Sequence, residues 1–127
     1  MYFLHIETST KICSVAISQD LELIGSLDLT EGMNHTALLA PSIEELLRLT
    51  GIQLSELGAI SVSSGPGSFT GLRVGGSTAK AMAYSLQIPI LAVPTLLSLA
   101  VAASKNYPEA DCLMPMLDAR RNEVYTS

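Results

Sequence analysis

The sequence predicts an α/β fold on a mixed sheet, antiparallel at one edge and parallel within. Three observations predict it. Three strand-like segments follow one another at the N-terminus through turns too short for the crossover that parallel neighbours need, so they form an antiparallel meander. Beyond them, helical and strand patterns alternate. Finally, 127 residues with 48% hydrophobic and 15% charged content, at mean hydropathy +0.39, exclude disorder and supply the core of one domain of ordinary size.

The elements follow in order. Tyr2 to Ile6 reads as a short buried strand, residues 7–11 as a polar turn, and Ile12 to Ser18 as a second strand with Cys13, Val15 and Ile17 alternating. Gln19 and Asp20 turn the chain into a third, Leu21 to Leu29. From Asn34 the period becomes helical: Leu39, Ile43, Leu46 and Leu47 share a face, Glu44, Glu45 and Arg48 lie away from it, and Gly51 stops the helix. A buried strand, Ala59 to Ser63, leads through the glycine loop Ser64–Ser68 into a long helix from about Thr70 to Leu86. Ile90 to Val93 is a short strand, and Thr95 is the expected N-cap of a helix running to about Lys105. After a loop, Leu113 to Leu117 and Glu123 to Tyr125 read as strands around Asp118–Asn122. The sequence stops directly after that strand, and further structure is expected to follow.

Charge and composition narrow the function. Seven Lys and Arg against twelve Asp and Glu give a net charge of −5 and a pI near 4.8, the wrong sign for gripping a phosphate backbone unaided. Aromatics at 5% without Trp leave no base-stacking platform. Cys13 and Cys112 lack metal-ligand spacing and read as reduced cytosolic thiols, Cys13 as a small core hydrophobe. The N-terminus lacks the basic and apolar regions of a signal peptide. The longest apolar run, Ile88 to Ala103, is broken by Pro89 and Pro94 and is shorter than the roughly 18 residues of a membrane span. A soluble cytoplasmic protein without membrane contact is expected.

The stretch Gly65-Pro66-Gly67-Ser68-Phe69-Thr70-Gly71-Leu72-Arg73-Val74-Gly75-Gly76 is the most informative. A strand, a glycine loop and a helix start can together form an anion site, and otherwise Gly65 and Gly67 only make a tight turn. The common phosphate templates fail: Thr70 stands where a dinucleotide fingerprint needs its third glycine, and Ser77 where a P-loop needs lysine. Within the helix Gly71, Gly75, Ala79 and Ala83 recur every fourth residue, a strip that either docks another helix or packs on the protein's own sheet. Glu7-Thr8-Ser9-Thr10 offers an acid and three hydroxyls to a phosphate or hydrated magnesium, or is an ordinary solvated turn. Asp118, Arg120 and Arg121 either contact a phosphate or a partner carboxylate or make an ordinary charged hairpin tip. His5 and His35 form no metal pair, and no serine lies in a nucleophile elbow, so independent catalysis is poorly supported.

Taken together, H-I-E-T-S-T-K-I-C-S-V-A-I, N-H-T-A-L-L-A-P-S-I-E-E-L-L, S-S-G-P-G-S-F-T-G-L-R-V-G and D-A-R-R-N-E-V-Y closely resemble the TsaB (YeaZ) family of threonylcarbamoyladenosine biosynthesis in tRNA, from residue 2 to about residue 126. The resemblance implies the actin-like ATPase fold, with residues 1–127 as its N-terminal ribonuclease-H-like lobe and the C-terminal lobe absent from this chain. It implies a non-catalytic scaffold that binds TsaD, the subunit that transfers the threonylcarbamoyl group, with TsaE as a further ATP-hydrolysing partner. On this reading tRNA is reached only through the complex, ATP and magnesium enter through the partners, and the chain itself requires no cofactor or metal and has no catalytic residue. Glu7, Thr8, Ser9, Gly65 and Gly67 would be a vestigial phosphate site. TsaD contact, and a homodimer when alone, would use the first two helices, about Thr36 to Leu49 and Thr70 to Leu86. Carried onto this chain, the interface falls on Leu39, Ile43, Leu47, Gly71, Arg73, Gly75, Ala79 and Met82.

Overall fold

The computed structural model describes residues 1–30 and 34–127. The elements are β1 (Tyr2–Glu7), β2 (Cys13–Gln19), β3 (Glu22–Leu29), α1 (His35–Thr50), a 3-10 turn at Leu54–Glu56, β4 (Leu57–Ser63), α2 (Phe69–Leu86), β5 (Ile90–Val93), α3 (Thr95–Asn106), β6 (Met116–Arg120) and β7 (Glu123–Thr126). The first five strands form one sheet in the order β3-β2-β1-β4-β5. As the meander requires, β1, β2 and β3 pair antiparallel, whereas β1, β4 and β5 run parallel.

Register divides the sheet into two unlike faces. Leu4 lies opposite Ile17 and Ile6 opposite Val15, with Ile60 and Val62 beside them on β4, and this face forms the core under α1 and α2. His35, Leu39, Ser42, Ile43 and Leu46 are the buried stripe of α1, the i, i+4, i+7, i+8 spacing that a helix lays on a sheet. Asn34 caps α1 by accepting the Ala37 N–H, and Gly51, at φ 72°, ends it in the left-handed conformation. Ser68 caps α2 by accepting the Gly71 N–H at 3.2 Å.

Several boundaries move by a residue or two, β4 beginning at Leu57 rather than Ala59, and two of the differences involve a proline. Thr95 is the first residue of α3 rather than its cap, with Pro94 in the capping position. Its N–H donates to the Gly65 carbonyl at 2.9 Å, and its buried hydroxyl has no partner among the described residues. Strand β6 begins at Met116 rather than Leu113, because Pro115 has no N–H to give a ladder. It pairs with β7 as a separate two-stranded sheet whose tip, Arg120 to Asn122, is left-handed throughout. At the outer edge of the main sheet, Ile17 pairs with Gly25 but Ser18 with Leu23, leaving Ile24 as an extra residue in β3.

Candidate functional site

The two glycine readings and the hydroxyl turn meet at one joint. The Thr8 side chain is fully buried, and its hydroxyl donates to the Gly71 carbonyl at 2.7 Å. A Cβ on Gly71 would collide with the Thr8 carbonyl, one on Gly75 with the Thr8 hydroxyl, and one on Gly67 would lie 2.5 Å from the Ser9 carbonyl. The Ser68 N–H donates to that same Ser9 carbonyl at 2.6 Å. From the other side, His35 Nε2 donates to the Thr10 carbonyl at 2.6 Å, tying α1 to the turn. Gly71 and Gly75 are therefore room for the β1–β2 turn, which offsets the roughly 0.5–1 kcal/mol that each costs in a helix.

This arrangement commits part of the donor set expected to meet a phosphate at Glu7, Thr8, Ser9, Gly65 and Gly67. A phosphate cradle needs free N–H and O–H donors. Here the Thr8 hydroxyl is given to Gly71, the Ser9 N–H to the Glu7 carboxylate at 2.7 Å, and the Ser68 N–H to Ser9. The space beside Gly67 is filled by Ser9 itself. The Ser9 hydroxyl, also buried, has no partner among the described residues. Gly65, at φ 106°, serves the tight turn, and its carbonyl anchors α3.

The interface expectation is corrected. Leu39, Ile43 and Ala79 are core residues, Leu39 only 1% exposed, and Gly71 and Gly75 face the sheet. Leu47 and Met82 are partly buried against the core. Of the eight positions only Arg73 lies wholly on the outside. The outward surface of α2 is instead Phe69, Arg73, Lys80 and Tyr84, the two aromatics 73% and 81% exposed, with the Arg73 guanidinium 5.2 Å from the centre of the Phe69 ring. This face carries no acid. The spacing left the strip open to docking another helix or packing on the protein's own sheet, and small residues beside a polar turn mark where backbone packs on backbone.

The opposite face of the sheet holds a cleft of about 330 Å³. Glu7 lies opposite Ser14, and Ser14 opposite Asp28, whose carboxylate accepts the Ser14 hydroxyl at 2.7 Å. One row below, His5 sits beside Ser61, with Nδ1 2.6 Å from the Ser61 hydroxyl and Nε2 2.8 Å from that of Ser18. Burial holds the His5 pKa below its ordinary value. The same cause pushes the Cys13 thiol up, in keeping with a core hydrophobe. Among the described residues no His, Cys, Asp and Glu group could hold a metal, and no helix is long and apolar enough to cross a membrane.

Comparison with known proteins decides the family. The family model described as TsaD, tRNA N6-adenosine threonylcarbamoyltransferase, matches residues 31–127. Two proteins named tRNA threonylcarbamoyladenosine biosynthesis protein TsaB are similar over nearly the whole chain. That of Haemophilus influenzae is 36% identical over 98% of this chain and 52% of its own length. That of Buchnera aphidicola is 38% identical over 96% and 54%. The solved structure of YeaZ from Pseudomonas aeruginosa superposes with TM-score 0.86 at 35% identity, covering 98% of this chain and 58% of that one. This chain belongs to the TsaB/YeaZ family. Its sheet order and helices are those of the actin-like ATPase fold that the family shares with YeaZ. The chain spans about half the length of the curated TsaB relatives it matches.

Proposed function

We propose that this chain acts in threonylcarbamoyladenosine modification of tRNA as a cytoplasmic adaptor that docks a TsaD-type partner and takes no part in the transfer chemistry. The observation that carries this reading is the similarity, over nearly all of the chain, to proteins named for that pathway. On this reading the chain is the N-terminal lobe, TsaE and ATP with magnesium enter through the complex, and tRNA is held by a basic partner because this chain carries net charge −5.

On this reading docking uses the outward sides of α1 and α2, where Leu49, Phe69, Arg73 and Tyr84 are exposed, because Leu39 and Gly75 are buried. Exposed aromatics and arginine are the residue types enriched at interface hot spots. Light scattering on a sizing column, with this chain alone and mixed with the TsaD protein of the same organism, tests the reading. A homodimer giving way to a mixed complex that Arg73→Glu weakens is the expected result. Separate elution of the two proteins overturns it.

A further inference from the structure

We propose that Ser61 and His5 form a nucleophile and base pair that accepts the acyl group of a small activated ester, on the sheet face away from the docking helices. The proposal does not depend on the adaptor reading. A serine nucleophile is recognised by a base within hydrogen-bond reach, oriented in turn by a third group. His5 on β1 has Ser61 of β4 at 2.6 Å on one side and Ser18 of β2 at 2.8 Å on the other.

The Asp20 carbonyl stands 3.4 Å from the Ser18 hydroxyl as an acceptor, and the proposal assigns the ring N–H to Nε2, with Ser18 accepting it. Nδ1 then carries the lone pair and accepts the Ser61 hydroxyl proton, the orientation a general base needs. Burial lowers the His5 pKa, which keeps the ring neutral at neutral pH. Both residues line the cleft of about 330 Å³, enough for a small substrate, and Ser63 lines it two residues further along β4. The Ser63 hydroxyl accepts the Thr8 N–H at 3.5 Å and keeps its own proton to donate toward a developing oxyanion. The charged side chains lining the cleft are the carboxylates Glu7 and Asp28, which admit a neutral or cationic ester and repel an anionic one.

In the acylation step the Ser61 Oγ attacks the ester carbonyl as its proton passes to His5 Nδ1. A bond forms between Oγ and the acyl carbon, the bond from that carbon to the ester oxygen breaks, and the alcohol leaves with the proton from His5. Water then attacks the acyl-serine by the same path and releases the carboxylic acid.

The test uses p-nitrophenyl acetate on the chain as it stands, reading p-nitrophenolate release and locating the acetyl group by tandem mass spectrometry. The expected result is a stoichiometric burst, with acetyl on Ser61, that is abolished by Ser61→Ala. His5→Gln, which keeps a hydrogen-bonding side chain, should slow it about 100-fold or more. Since Ser61 lies on the open face and alanine is smaller, Ser61→Ala should melt as the parent does, and the wild-type peptide map stands whatever the variants do. No burst, acetyl only on other residues such as Lys80 or Tyr84, or an unchanged rate in His5→Gln overturns the proposal.

Discussion

The two faces of the five-stranded sheet are made from the same strands and differ in almost everything else. Toward α1 and α2, β1 and β2 present Leu4, Ile6, Val15 and Ile17, all nearly or wholly inaccessible to solvent. One residue out of step, the same strands present His5, Glu7, Ser14 and Ser18 to the cleft and to one another. Since strand side chains alternate strictly, the sequence composes both faces at once, one by volume and one by hydrogen bonding. The difference teaches that this fold takes its stability from the helix side and leaves the other side free to carry polar chemistry.

Truncations to alanine on the two faces should therefore have very different effects. The largest belongs to the helix side: Ile60→Ala, at a fully buried position, should cost about 2–5 kcal/mol in chemical denaturation, whereas Ser14→Ala on the cleft side should leave the midpoint within about 0.5 kcal/mol. A loss of equal size at Ser14 would erase the distinction. Next comes Gly71→Ala, whose Cβ meets the Thr8 backbone carbonyl and should cost about 1–3 kcal/mol by overpacking. Gly76→Ala, one turn further on with open space around it, should instead stabilise α2 by about 0.5–1 kcal/mol. If both behaved alike in thermal melts, α2 would not be seated on the turn as described.

The smallest effect is a dependence on pH from the cleft side. The folded His5 pKa lies below the ordinary 6.5, so as pH falls through 6.5 the unfolded chain binds the proton first. Stability from this group is full above that pH and is lost as pH falls toward the folded pKa. The drop in Tm between pH 7.5 and pH 5.5 should accordingly be smaller in His5→Gln than in the parent, and an equal drop would show that His5 is not desolvated.

Local patterns made most of this fold readable from sequence. The meander, α1 with its Gly51 stop, α2 and β5 all follow from period and punctuation acting within a few residues. The ends of α3 and β6 were less legible, because Pro94 and Pro115 move a boundary by a residue or more. The candidate site was legible only as parts. Thr8 and Gly71 stand sixty-three positions apart and His5 and Ser61 fifty-six, and no periodicity reports which distant elements meet. The α2 strip shows the limit plainly: its spacing fixed which residues share a face, while only the turn lying on Gly71 and Gly75 determined which way that face points.

The additional residue Ile24 in β3 carries a last consequence. Upstream of it the inside and outside positions of the strand exchange, so that Leu23 pairs with Ser18 on the cleft side and stands largely in solvent. Because β3 is the border of the sheet, a regular run of backbone donors and acceptors there would offer a ready ledge for any extended polypeptide. The irregularity interrupts that ledge near the start of β3, so that an incoming strand would find regular pairing groups only from Gly25 to Leu29.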